Sequence, residues 1–472
     1  MTISRRSVLH SGLAAGAALV GTRAAAAQPH HGGTAPPAPP QPPAPQPAAP
    51  PPGAPQAAPD APMKLTRGRA VDGAPYTPVV MPNGSTLPFT LKDGVKVFHL
   101  TATPVAHQFA PGLDVQAWGY NGTTPGPLLE AVEGDHVRIY VTNGLPEPTT
   151  VHWHGVPVPN GMDGVGGLTQ DYILPGRTFR YEFTFPRAGT FLYHPHFDEM
   201  TQIALGMVGM IVVHPRKRDP RRVRDYALLT HEWKVPIGAA RPDPLAMNDF
   251  NVLTFNGKAF PATEPLVAEV GDLVRIRLGN LGPMDHHPIH LHGHAFDVVE
   301  TDGGVVPPGA RHPETTVLVP VGTVRVIELV AVAPGDWPMH CHMTHHVMNQ
   351  MGHDAVDLIG ADTRGLDAQL GRVVPGAMAM GATGTGDMMT MAQPRNSIAM
   401  KGGRGPFDTI AMGGMFTIVK VRDRLDGDVD PGWYRHPPGT VASEASADEL
   451  ARDGIDVGAP AAHDPQESQE HR

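Results

Sequence analysis

The chain has a single cysteine, Cys341, in 472 residues. No internal disulfide can form, so packing and hydrogen bonds must hold the fold, and the neighbours of that thiol must account for it. Aromatic residues make up only 6% of the chain, and no loop carries an aromatic signature that would name a ligand. Beyond the N-terminal segment there is no apolar run of about 18 residues, so no membrane span is expected. The net charge is −10 and no basic cluster falls on a motif, which argues against a nucleic-acid partner. The basic run from Arg216 to Arg224 falls where two domains would join and reads as a solvated linker. Long helical periodicity is scarce.

Short strands and turns are abundant. His136-Val137-Arg138-Ile139-Tyr140-Val141 and Leu273-Val274-Arg275-Ile276-Arg277-Leu278 alternate with period two, each between Gly-Asp and an Asn-Gly or Gly-Asn pair. Many such strands with Gly and Pro punctuation predict β-sandwiches. Folded sequence from about 63 to 438 is roughly 375 residues, too long for one core. It is also written twice. Val132-Glu133-Gly134-Asp135 leads to His152-Trp153-His154-Gly155, as Glu269-Val270-Gly271-Asp272 leads to His290-Leu291-His292-Gly293. Ala188-Gly189-Thr190 leads to His194-Pro195-His196, as Pro334-Gly335-Asp336 leads to His340-Cys341-His342. The closing strands also correspond, Gly209–Val213 with Gly414–Val419. Two copies of this length predict a duplicated domain, 63–220 and 221–438.

The flanks read differently. Ser4-Arg5-Arg6-Ser7-Val8-Leu9, an apolar run from Gly12 to Val20 and the small residues Ala24–Ala27 form a twin-arginine signal pattern over 1–28. Export of the folded protein to a periplasmic or secreted location is therefore expected. Residues 29–62 are almost all Pro, Ala, Gln and Gly, a composition that spaces rather than packs. Residues 439–472 are acidic and Ala-rich and read as a tail.

The chemistry gathers around Cys341. A thiolate, an imidazole five positions on at His346 and a thioether ten positions on at Met351 are the donors of a trigonal blue copper site, which needs one more imidazole. His287 supplies it; adjacent His286 reads as a bystander or an outer partner. On extended chain His340 and His342 face one way and Cys341 the other. One strand would then grip two metal centres. Four His-x-His pairs give eight imidazoles, enough for a cluster of three coppers.

With these motifs in both halves, the sequence resembles the laccase-like multicopper oxidases of cupredoxin fold. The resemblance implies two cupredoxin-like Greek-key sandwiches. It implies type 1 copper on His287, Cys341, His346 and Met351, type 2 on His152 and His290, and the type 3 pair on His154, His194, His196, His292, His340 and His342. That is four coppers per subunit. Electrons from a phenol, an aromatic amine or a metal ion such as Cu(I) or Mn(II) would reduce oxygen to water. Only 90 residues separate His196 from His287, which leaves no room for a middle domain. The chain thus resembles the small two-domain type, in which a homotrimer completes the three-copper cluster between subunits and a monomer is inactive. A copper nitrite reductase, with two coppers per subunit, and a non-catalytic copper-binding protein are the alternatives.

Three features complete the expectation. Asp163, in Asn160-Gly161-Met162-Asp163-Gly164, stands where the family places an acid near type 2 copper, and is the candidate for proton delivery; Asp198 and Glu199 are weaker ones. The carboxylate the family often places after the cysteine is missing, since Thr344, His345 and Val347 stand there. Residues 376–415 read as an insertion with eight methionines, Met378, Met380, Met388, Met389, Met391, Met400, Met412 and Met415. Such thioethers suit capture of Cu(I), or serve as apolar filler in a low-complexity loop, with Met412 and Met415 alternatively part of the last strand.

Overall fold

The structure, a computed structural model, describes residues 75–221, 223–350 and 394–458, with Arg372 and the backbone of 356–357 and 379–380. The signal pattern, the Pro-rich segment, Met351 and Met378–Met391 lie outside the residues whose side chains are described. The regular secondary structure of the described residues is almost entirely strand. Alternation sets which side of each strand is buried: in His136–Asn143, Val137, Ile139 and Val141 point inward and Arg138 and Tyr140 outward.

The first sandwich is built from eight strands. One sheet runs β1 (Phe89–Lys92), β2 (Val95–Ala110), β5 (His136–Asn143), β6 (Thr178–Thr184), with β3 (Leu113–Tyr120) added on β2. The other runs β4 (Leu129–Val132), β8 (Gly209–His214), β7 (Gly189–Tyr193). The second sandwich repeats the plan. One sheet orders β10 (Val252–Phe255), β9 (Val223–Trp233), β12 (Leu273–Asn280), β18 (Thr323–Val330), β14 (Phe296–Thr301) and β15 (Gly304–Val305), with β16 (Pro313–Glu314) beside β14. Its partner orders β11 (Leu266–Glu269), β24 (Phe416–Arg422), β19 (Gly335–Cys341), β13 (His287–Leu291) and β17 (Thr316–Val319). The remaining strands, β20 (Val356–Asp357), β21 (Ala379–Met380), β22 (Arg404–Gly405) and β23 (Asp408–Thr409), are two-residue pairs.

The internal repeat is visible as shared pairing. β2 lies parallel to β5 as β9 does to β12, and β4 lies parallel to β8 as β11 does to β24. The antiparallel pair β7–β8 matches β19–β24. Each sandwich has its own core, one around Phe98, Ile139, Trp153 and Tyr193, the other around Leu228, Ile276, Leu291 and Val419. A third core, with Leu192, Met210, Leu229 and Val326, joins β7 and β8 to β9 and β18, and the two sandwiches form one compact unit.

A buried ion pair of the second sandwich abuts the same junction and reaches across it to Thr190. Arg277 donates to both Asp225 oxygens at 2.8 Å and to Thr190 Oγ1 at 2.6 Å, with both charged residues 5% exposed. Burial alone would raise the Asp225 pKa, but the Arg277 charge and hydrogen bonds together with the Arg275 charge outweigh it and hold the carboxyl below its usual range. Removing one partner of such a pair strands the other charge. Asp225→Ala is therefore expected to lower stability by ~3–5 kcal/mol in chemical denaturation; a loss below ~1 kcal/mol would contradict this role for the pair.

Two expectations shift at the edges. The 376–415 stretch is not all insertion, because its second half is part of the fold. Ile398 and Met400 are buried, Met415 is fully buried in the second core, and Met412 packs half-buried beside Phe260. Asn396 binds Asp114 and Ala239. The expected linker at Arg216–Arg224 is solvated through Arg218, but Arg224 pairs with Asp272 and Asp428. The tail carries a short exposed helix, Ala447–Arg452, capped by Ser446 and Glu449.

Candidate metal centres

β13 and β19 lie side by side, with Ile289 opposite Cys341 and His290 opposite His340. Alternation then sorts the side chains. Cys341 turns into the second core with Ile289 and Leu291, while His290 and His340 turn to the opposite face. His287 opens β13 two residues before Ile289, on the Cys341 face. His346 returns to the sulfur from a 3-10 turn, Thr344–Val347, after β19. The three donors converge: Cys341 Sγ lies 3.4 Å from His346 Nδ1 and 3.8 Å from His287 Nδ1, and the two nitrogens are 3.2 Å apart. An ion about 2.1 Å from each nitrogen and about 2.3 Å from the sulfur, in their plane, sets donor atoms about 3.6–3.8 Å apart. The cluster fits one metal ion with a slight opening.

The far side of each ring decides which nitrogen is free. His287 Nε2 lies 3.3 Å from Glu232 Oε2, and His346 Nε2 lies 3.5 Å from Asp285 Oδ2. Both carboxylates claim the Nε2 proton, which leaves two Nδ1 lone pairs facing each other and the sulfur. Lone pairs at this distance repel unless a cation sits between them. Burial pushes the Cys341 thiol up to about 12, so an incoming metal must displace its proton.

The other eight imidazoles form two quartets, one per sandwich. His152 and His194 pair as an antiparallel bridge, as His290 and His340 do. Ring centroids are 5.3–6.4 Å apart in the first quartet and 4.8–5.7 Å in the second. His152, His194, His290 and His340 bond through Nδ1 to the carbonyls of Asp163, Pro195, Thr315 and Cys341, freeing their Nε2 atoms. His154 is held by the Gly322 carbonyl and turns Nδ1 inward. Nitrogens then face each other at 3.1 Å (His154 and His194) and 3.2 Å (His292 and His340), again a spacing that suits a shared cation. Burial lowers the pKa values of His154, His292 and His340, and that of His194 to about 3. These rings are held neutral, the form that binds metal. Among the described residues, every contact of these eight rings with another histidine stays within its own quartet. His342 is exposed and His152, His154, His196, His290 and His292 are half-buried, so both quartets open to solvent.

The remaining candidates divide. Asp163 touches His152 chiefly through its backbone carbonyl at 2.7 Å, and its carboxylate is 3.5 Å away on the same Nδ1 side. Glu199 Oε1 lies 2.9 Å from His196 Nδ1, whereas Asp198 is the exposed, left-handed residue that starts the next helix. His286 accepts from the Val321 amide and stands apart from the sulfur site. Glu232 and Asp285 carry no motif. They are recognisable only in three dimensions, although a Met-Asp pair just before His286-His287 was a faint signal for Asp285.

Comparison with known proteins agrees with this geometry. Residues 101–218 and 236–359 each match a multicopper oxidase domain family, one per sandwich. The chain belongs to the multicopper oxidase family. A 221-residue stretch is 31% identical to the multicopper oxidase MmcO of Mycobacterium tuberculosis, covering 40% of this chain and 43% of that protein. A 261-residue stretch is 26% identical to a copper-containing nitrite reductase of Neisseria meningitidis, covering 53% and 66%. This multicopper oxidase thus spans from under half to about two thirds of the length of those curated relatives. Among solved structures it resembles the blue copper oxidase from Nitrosomonas europaea (TM-score 0.51, 26% identity, 69% of this chain and 85% of that one). It also resembles the multicopper oxidase mgLAC (TM-score 0.53, 28% identity, 71% and 91%). The all-β, cupredoxin-like architecture and the laccase-like family expected from the motifs both stand.

Proposed function

We propose that this multicopper oxidase oxidises a small donor one electron at a time and reduces dioxygen to water, with each oxygen site shared by neighbouring copies of the chain. Four coppers would supply the chemistry: one for accepting donor electrons, held by Cys341, His287, His346 and Met351, and three for oxygen reduction, held by the eight paired histidines. The observation that carries the reading is the division of those histidines. Among the described residues, one chain gathers the Cys341, His287 and His346 donors at one sulfur site and presents two open half-sites whose rings do not touch each other. A head-to-tail ring joins one quartet to the other type on the next copy, and a homotrimer is the ring this family resemblance suggests.

The residues have distinct tasks. His346 is the type 1 histidine with a partly exposed neighbour, since the Asp285 side chain is 31% exposed and that of His287 is fully covered. The donor side is therefore the His346 edge. Cys341 joins the two centres by the peptide links to His340 and His342, and His340 Nδ1 donates to the Cys341 carbonyl at 2.8 Å as a shorter bridge. Asp163 orients His152 through its carbonyl and is the acid assigned to proton delivery beside that ring. The N-terminal pattern supports export of the folded protein to the periplasm or beyond.

Similarity to a nitrite reductase keeps that second reading in view, but one three-histidine copper would leave most of the paired imidazoles unused. Oxygen uptake by copper-loaded protein tests the proposal. Uptake is expected with a phenol or with Cu(I), at one dioxygen per four electrons. Nitrite consumption without uptake, or binding without turnover, would overturn it. The same assay on protein lacking 376–393 tests the Met-rich part: cuprous turnover is expected to fall and phenol turnover to persist.

A further inference from the structure

Glu232 is the most completely buried acid at the sulfur site. It lies on β9, 55 residues before His287, and is 0% exposed. Oε1 accepts the Met284 amide at 2.6 Å and the Asp285 amide at 2.7 Å, while Oε2 lies 3.3 Å from His287 Nε2. Among the described residues its one ion-pair contact is with His287, its charge also acts on buried His231, and no lysine or arginine pairs with it. The cradle is built around it, since a Cβ added at Gly282 would overlap the carboxylate. A buried carboxylate without a permanent cation is expensive to retain. The cost is met if the charge acts on something that is positive only when loaded, namely the metal bound across the His287 ring.

We propose that Glu232 is a positioning residue for the type 1 centre, which fixes the His287 ring and whose charge favours the cupric over the cuprous state. This rests on copper binding at Cys341, His287 and His346. The physical reason is local. Cupric copper carries one more positive charge than cuprous copper, and a negative charge one ring away in a dry core stabilises that extra charge. Asp285 plays the same part toward His346 more weakly, because solvent screens its partly exposed carboxylate. Glu232 also ties the 284–285 turn to His287, so it sets the position of Asp285 as well.

Two substitutions separate charge from position. Glu232→Gln keeps the size and removes the charge; if its oxygen still accepts the two amides, its NH2 faces the Nε2–H of His287, donor against donor. In a fixed redox buffer the Cu(I):Cu(II) ratio of the blue centre is expected to rise at least tenfold, equivalent to 59 mV for a one-electron couple. Asp285→Asn is expected to shift it less. Glu232→Asp keeps the charge but withdraws it from the ring, so the ratio should stay near wild type while copper retention against a chelator falls at least tenfold. A ratio within twofold of wild type in Glu232→Gln, or full retention in Glu232→Asp, would overturn the proposal. A wild-type protein that binds copper without a blue band would overturn the copper reading beneath it.

Discussion

Cys341→Ser is expected to abolish the blue colour and to cut oxygen consumption by more than ~100-fold. Loss of an outer partner of a metal ligand already costs about 10–100-fold, and this change removes the ligand itself. A serine hydroxyl is a hard, neutral donor where the site needs a soft anion. It also removes the atom that faces both imidazoles, Sγ at 3.4 and 3.8 Å from the two Nδ1 atoms. The fold should survive, because the exchange is small in a core otherwise packed by Ile289, Leu291 and Met339. The eight paired histidines are untouched, so three coppers should remain bound per chain. Oxygen uptake at the wild-type rate in the serine variant would mean that electrons reach the histidine centre without the sulfur.

Mixing two inactive variants is expected to restore activity. One variant carries His194→Ala and His196→Ala and loses the first quartet; the other carries His290→Ala and His292→Ala and loses the second. Each keeps Cys341. In a head-to-tail ring, an oxygen site takes its first quartet from one copy and its second from the next. Random co-assembly at equal amounts then makes about one quarter of all sites fully wild type, because each half is intact with a probability of about one half. Oxygen uptake by the co-expressed mixture should approach that fraction of wild type, while either variant alone stays silent. If both quartets served one chain's own site, the mixture would be as silent as its parts.

Much of this site could be read from residue order because its rules are local. Alternation along an extended strand places His340 and His342 opposite Cys341, and the structure keeps that alternation through β13 and β19. The duplication was legible for the same reason, since matching turn residues precede matching strands. What escaped is what depends on distant chain segments. Glu232 reaches His287 from another sheet, and nothing in Thr230-His231-Glu232-Trp233 marks it. Asp163 stands out in the sequence for its carboxylate, yet its backbone carbonyl makes the closer contact with His152. The Met-rich stretch misled by composition. Its Gly, Thr and Met residues suggested one loop, but Asn349 and Gln350 bind Ile398 and Gly414 and draw 394–415 into the second sandwich. Tertiary contacts there override a local, low-complexity appearance.

The copper content of the intact, metal-loaded assembly tests the account most directly. A value of four copper ions per chain, one of them giving the blue band and three lost together when either quartet is removed, is the predicted result. Two ions per chain, or three ions retained by a chain that lacks one quartet, would contradict a cluster built from both halves.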